Sequence, residues 1–144
     1  MKRMLMMSAL VTATATSLYA DGKGHVRAGS WHTSVKTEIP GAPFTPPPTE
    51  IDRCVTAEEA SDPQKMLKKQ QDDCEAASVK LDGSHLTYTV TCHKHGGTQT
   101  GTGELTFAGE SYSGTMTLTM NDPRRGPMKI IQHIQANRTG DCTP

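Results

Sequence analysis

The chain has 144 residues, with 15 Lys and Arg against 15 Asp and Glu, so its formal net charge is zero. This length corresponds to one domain and leaves no room for a large two-domain enzyme. The charge balance argues against a nucleic-acid-binding protein, which normally carries a basic excess. No run of about 18 apolar residues occurs, so we expect no membrane-spanning segment.

The first twenty residues have the layout of a secretory signal peptide. Two basic residues are followed by an apolar stretch and then by small residues that lead to Ala20, just before the charged Asp21. We predict cleavage after Ala20, with an earlier site after Ala15 as the alternative. The expected organisation is therefore a signal peptide at 1–20, a single domain at 21–144, and a periplasmic or secreted mature protein.

The first half of the mature chain predicts two strands followed by a short helical excursion. Apolar and β-branched residues alternate with polar ones over 31–39, which is typical of a strand. The proline-rich stretch 40–48 lacks several backbone donors and predicts an extended connector. A short strand at 51–55 precedes a helical turn capped by Thr56, and a second helical piece at 62–71 opens with Asp-Pro.

The second half predicts strands joined by tight turns. Asp82-Gly83 between alternating runs indicates a type I′ hairpin, which would pair Leu81 with Ser84. A second hairpin has its turn at 108–111, and a last strand covers 128–138. We therefore predict a mainly β fold, an antiparallel meander of about seven strands that curls into an open barrel or a small sandwich.

Four cysteines in an exported chain predict two disulfides. The hairpin register above places Cys74 and Cys92 on opposite faces of the sheet, which argues against a bond between them. A bulge near Ser78 would remove that argument. Two connectivities remain, and we favour the first: Cys54–Cys74 with Cys92–Cys142, or Cys54–Cys92 with Cys74–Cys142.

Several short motifs together resemble an exported bacterial family, domain of unknown function 3617 (DUF3617). The resemblance covers about residues 28–142 and implies periplasmic export and a compact β-rich domain. It implies no catalytic residues. The motifs are Gly29-Ser-Trp31, Pro40-Gly41, the four cysteines, Tyr112-Ser-Gly114 and Arg138-Thr-Gly140-Asp-Cys142.

One histidine pair is a candidate metal site. His93 and His95 would point the same way from a strand, and two histidines at this spacing can chelate a metal ion. His85 lies further back on the same face, but no third ligand is fixed by the spacing. His32 and His133 show no constellation in the sequence. The usual nucleophile, zinc-protease and phosphate-loop motifs do not occur.

Threonines alternate along three predicted strands, opposite the inward-facing residues. Such runs can form a regular hydroxylated surface for ice or glycan, although threonine also simply favours strands. The sequence thus predicts a non-enzymatic exported domain that binds an unknown ligand or envelope partner and needs no cofactor. The alternative is a small metal-binding protein that uses His93 and His95. The runs are Thr87/Thr89/Thr91, Thr98/Thr100/Thr102 and Thr115/Thr117/Thr119.

Overall fold

The structure, a computed structural model, describes residues 26–68, 73–94, 97–122, 124 and 126–143. The predicted signal peptide lies outside the described residues. The elements, in chain order, are β1 (Gly29–Glu38), β2 (Thr49–Val55), α1 (Ala57–Ser61), α2 (Pro63–Lys68), β3 (Cys74–Asp82), β4 (His85–Lys94), β5 (Gly97–Phe107), β6 (Ser111–Asp122) and β7 (Gly126–Gly140).

Seven antiparallel strands form one open sheet in the order β2-β1-β7-β6-β5-β4-β3. Strands β3 to β7 follow one another as a meander, whereas β1 pairs with both β2 and β7. The predicted mainly β fold with seven strands and a short helical excursion is confirmed. The two edge strands, β2 and β3, do not pair with each other, and the helices lie in the connection between them.

Local side-chain hydrogen bonds define where both helices begin. Thr56 and Glu59 form a capping box, in which Thr56 Oγ1 accepts from the Glu59 N–H and Glu59 Oε2 accepts from the Thr56 N–H. Asp62 Oδ1 accepts from the Gln64 N–H and caps α2, as predicted. The described part of α2 ends at Lys68, and the predicted extension to residue 71 lies outside the described residues. Neither helix has the length and apolar content of a membrane span.

The core lies between one face of the sheet and the helices. Trp31 is 1% exposed, its ring centroid lies 5.4 Å from that of Tyr112, and Phe107 contacts Tyr112 from the other side. Met66 and Leu67 of α2 pack into the same cluster. The helical excursion therefore covers part of the apolar face, which a single open sheet leaves without a second sheet to cover it.

Glycines allow unusually close contacts within the core face of β5 and β6. A Cβ atom at Gly101 would lie 1.9 Å from the carbonyl oxygen of Thr117, and one at Gly103 would lie 2.3 Å from Cζ of Tyr88. No other residue type fits at either position without a shift of its neighbours. Glycine inside a strand often marks such a bend or close approach.

The β3–β4 hairpin differs from the sequence prediction in turn and in register. Asp82 pairs with His85, so Gly83 and Ser84 form the turn. Only Gly83 of these two has a positive φ, +58°, which fits a II′ turn rather than the predicted type I′. Further along, the register shifts between Ala77 and Lys80. Ser78, whose φ is +50°, supplies the extra residue of a β-bulge.

This bulge reverses the predicted disulfide pairing. It brings Cys74 directly opposite Cys92, with their Cα atoms 4.0 Å apart, and the two are bonded. The adjoining backbone hydrogen bond, from His93 N–H to Asp73 O, makes this a non-hydrogen-bonded pair, in which side chains are closest. The second disulfide joins Cys54 to Cys142. The presence of two disulfides was predicted correctly, but the favoured connectivity and its alternative were both wrong.

Candidate functional site: the threonine face

The three threonine runs lie side by side on the face of the sheet that points away from the core. The nine threonines of these runs are here called the threonine face. Thr89, Thr102 and Thr117 are direct partners across β4, β5 and β6, and a second row sets Thr91, Thr100 and Thr119 side by side. Neighbouring strands lie about 4.8 Å apart and alternate residues about 6.7 Å apart. The hydroxyl groups therefore form a two-dimensional array.

A cavity of about 450 Å³ opens on this face. The position of the cavity follows from the strand register, which places the bulge residue Ser78 and the nearby Lys80 beside β4. The face is therefore hollowed rather than planar. The lining residues are Ser78, Lys80, Thr87, Tyr88, Thr89, Thr102, Gly103, Glu104, Thr115 and Thr117.

The cavity combines neutral hydroxyls with one charge of each sign. Lys80 and Glu104 both pair with Thr87, one from each neighbouring strand. His85 Nε2 lies 3.8 Å from Glu104 Oε2, and its Nδ1 lies 3.3 Å from the hydroxyl of Thr106. Threonine hydroxyls both donate and accept, so the cavity can match a ligand that carries both kinds of group.

Tyr88 and Gly103 connect this cavity to the core. Tyr88 is directly opposite Gly103, and its hydroxyl donates to the sulfur of Met116 at 3.8 Å. Burial, together with the neighbouring Tyr112, raises the pKa of Tyr88 to about 12. The phenol therefore stays protonated at physiological pH and offers no base to the cavity.

A second cavity, of about 330 Å³, lies next to the first on β7 and β1. Thr115, which lines the first cavity, is the direct cross-strand partner of His133, which lines the second. His133 Nε2 lies 3.3 Å from Glu38 Oε1. The remaining lining residues are Ser34, Lys36 and Gln135.

Of the two predicted metal ligands, His93 and His95, the described residues include only His93. His93 is exposed at the end of β4, and its Nδ1 lies 3.3 Å from the hydroxyl of Thr98. His95 lies outside the described residues. His85 is eight residues back along β4, roughly 27 Å away, and cannot bind the same metal ion as His93. Among the described residues, no three His, Cys, Asp or Glu side chains come together as metal ligands.

Two other histidines have carboxylate partners that the sequence did not predict. His32 lies between two carboxylates of β2, with Nδ1 2.6 Å from Asp52 Oδ1 and Nε2 3.1 Å from Glu50 Oε2. His133 contacts Glu38, as described above. These pairs depend on cross-strand register, since His32 faces Asp52 from a position twenty residues away. The alternation of charged residues in β2 is the only sequence signal that could have indicated them.

The hydrogen bond to Asp52 raises the pKa of His32 above its ordinary value, and Glu50 adds to the effect. Protonated His32 therefore stabilises the fold at pH values below about 6.5, and this contribution disappears as the pH rises through the raised pKa. We expect the melting temperature of wild type to exceed that of His32→Gln more at pH 6 than at pH 8.5. Thermal unfolding across this pH range measures the difference.

The matched control is Asp52→Asn, which keeps His32 but removes its main partner. In the Asp52→Asn background, the further decrease in melting temperature on replacing His32 with glutamine should depend much less on pH. If the melting temperatures of wild type and His32→Gln differ by the same amount from pH 6 to pH 8.5, protonated His32 does not stabilise the fold.

A comparison with protein-family models matches residues 26–142 to a family described as protein of unknown function (DUF3617). No curated protein and no solved structure matches the chain. The family match includes all seven strands, both helices and the four cysteines. It agrees with the resemblance seen in the short motifs. Because the match covers most of the chain, the protein belongs to the DUF3617 family.

Proposed function

We propose that the protein is an exported, non-enzymatic binding domain that takes its ligand in the cavity of the threonine face. The observation that carries this proposal is the alignment of three threonine runs around a cavity of about 450 Å³. A sheet that needed threonine only as a strand former could place it anywhere on the solvent side. Concave sites with convergent polar groups are the usual places where proteins bind ligands.

The chemistry of the cavity favours binding over catalysis. Its ionisable groups are Lys80 and Glu104 at opposite sides of Thr87, together with the protonated Tyr88. No nucleophile in it is paired with a base, as covalent catalysis would require. The residues that line it instead present hydroxyl groups in fixed positions on a rigid sheet.

Export is supported by the residue pattern of the first twenty positions and by the two disulfides. Disulfides persist mainly in oxidising compartments such as the bacterial periplasm. Mass spectrometry of protein expressed in a Gram-negative host should find a mature N-terminus near Asp21. Recovery of the protein from the cytoplasm with Met1 intact would overturn this part of the proposal.

The binding site can be tested by nuclear magnetic resonance. Isotope-labelled protein is titrated with fractions of a periplasmic and cell-wall extract, and backbone amide shifts are mapped. We expect shifts in β4, β5 and β6 around the cavity, and their loss in a Thr102→Val/Thr117→Val variant. Valine keeps the shape and the strand preference of threonine while removing the hydroxyl. Shifts confined to other surfaces, or equal in the variant, would overturn the proposed site.

The alternative function, a metal-binding protein, is supported by the sequence spacing of His93 and His95. The exposed position of His93 beside Thr98 is compatible with it but adds no ligand. Titration of the labelled protein with zinc ions separates the two functions. Selective broadening around His93, abolished by His93→Ala, would favour the metal site.

A further inference from the structure

We infer that the ligand of the threonine face is a linear, uncharged glycan that lies across the strands. This inference rests on the proposed function and names the chemical class of its ligand.

The two cavities adjoin on the outer face, since Thr115 of the first is the direct cross-strand partner of His133 of the second, and together they are called the groove here. A single cross-strand row runs through both, because each of its members is the direct partner of the next. The row crosses six strands, from β3 to β1, over about 24 Å. Its members are Lys80, Thr87, Glu104, Thr115, His133 and Lys36.

A groove of this length fits a chain better than a single small molecule. One sugar ring in an extended polysaccharide is about as long as the spacing between neighbouring strands. The groove would therefore hold about five sugar units, each placed over one strand-to-strand interval. Each unit would meet a new pair of side chains, so the binding free energy should grow with the number of units.

The charges along the groove cancel. Lys80 is matched by Glu104 in the first cavity, and Lys36 by Glu38 in the second. His133 is paired with Glu38. A polyanion would meet the two carboxylates and a polycation the two ammonium groups, so neither gains a net attraction. An uncharged ligand meets no such conflict and can use all four groups as hydrogen-bond partners.

Threonine also suits the surface of a sugar. Its hydroxyl can donate to or accept from a sugar hydroxyl, and its methyl group contacts the C–H surface of the ring. The hollowed shape and the charged side chains of Lys80 and Glu104 in its lining do not suit ice, the other ligand considered for threonine arrays. Ice would require a planar and uncharged array of equal spacing.

Isothermal titration calorimetry with defined oligosaccharides tests this inference. The probes are cello-oligosaccharides and β-1,4-linked N-acetylglucosamine oligomers of two to six units, with oligogalacturonates of equal length as the charged comparison. We expect the affinity for at least one neutral series to rise about tenfold or more from the shortest to the longest member. It should be insensitive to salt, because few charges are neutralised on binding.

Paired variants locate the contact. Thr102→Val/Thr117→Val removes two hydroxyls from the cavity and should weaken binding about tenfold. Thr119→Val is the matched control, since Thr119 lies two residues from Thr117 on the same face but lines neither cavity. It should leave the affinity unchanged.

Three results would overturn the inference. They are the absence of binding to every neutral oligomer, an affinity independent of length, and a preference for oligogalacturonate that weakens with salt. If the extract still shifts the amides of the threonine face in any of these cases, the proposed site stands and only the ligand class is wrong. If the extract also leaves that face unperturbed, the proposed function fails as well.

Discussion

Replacing both Cys54 and Cys142 with alanine should lower the free energy of unfolding by about 4–5 kcal/mol. Their disulfide joins positions 88 residues apart, whereas Cys74–Cys92 joins positions only 18 apart. In the chain-entropy model, a disulfide that closes a longer loop removes more conformational entropy from the unfolded state. It therefore contributes more to the free energy of unfolding. Urea unfolding of the oxidised wild type and of the double variant measures the loss.

The Cys74→Ala/Cys92→Ala variant is the comparison, with an expected loop contribution of about 3 kcal/mol. Cys92 is buried, so part of any further loss in that variant comes from the lost packing of its side chain. Since Cys54 and Cys142 share one disulfide, we expect Cys54→Ser and Cys142→Ser to lower the free energy of unfolding by equal amounts. A loss below about 1 kcal/mol in Cys54→Ala/Cys142→Ala would show that the sheet does not depend on this disulfide.

Trp31→Ala should destabilise the protein by about 3–5 kcal/mol. The indole is almost fully buried, packs against Tyr112, and donates through Nε1 to the carbonyl oxygen of Arg27 at 2.9 Å. Trp31 is the largest of the fully buried side chains in the described part of the chain, so alanine would leave a large cavity in the core. Chemical denaturation monitored by far-ultraviolet circular dichroism measures the change.

Phe44→Ala is the matched control for this substitution. Phe44 is 65% exposed in the proline-rich connector, and its removal should change the stability by less than about 0.5 kcal/mol. Similar losses for Phe44→Ala and Trp31→Ala would mean that the connector packs onto the domain. A small loss for both would show that the aromatic cluster is not the centre of the core.

The parts of the fold that depend on neighbouring residues could be predicted from the sequence. The caps at Thr56 and Asp62 form from side chains two or three residues away from their partners. The turn at 108–111 closes through a backbone hydrogen bond from Ala108 N–H to Ser111 O, as expected. The alternation of threonine with inward-facing residues also identified which side chains face away from the core.

The parts that depend on pairing between distant strands could not be predicted. The bulge at Ser78 has no distinctive residue type, yet it changes the register of half of β3 and the partner of Cys74. The contact of β1 with β7 joins residues about a hundred positions apart and decides which side chains meet His133. The threonine runs were visible in the sequence, but their alignment into one array required the register of three strands.

Gly103 places the core and the outer cavity on the two sides of a single layer of main chain. On one side it contacts the ring of Tyr88, and on the other it lines the cavity. A ligand in the cavity would therefore bind only the folded sheet, and thermodynamic linkage would make it a stabiliser of the whole domain. At about a hundred times its Kd, such a ligand adds about 2.7 kcal/mol to the free energy of unfolding. The protein would be most resistant to unfolding and proteolysis where its ligand is abundant.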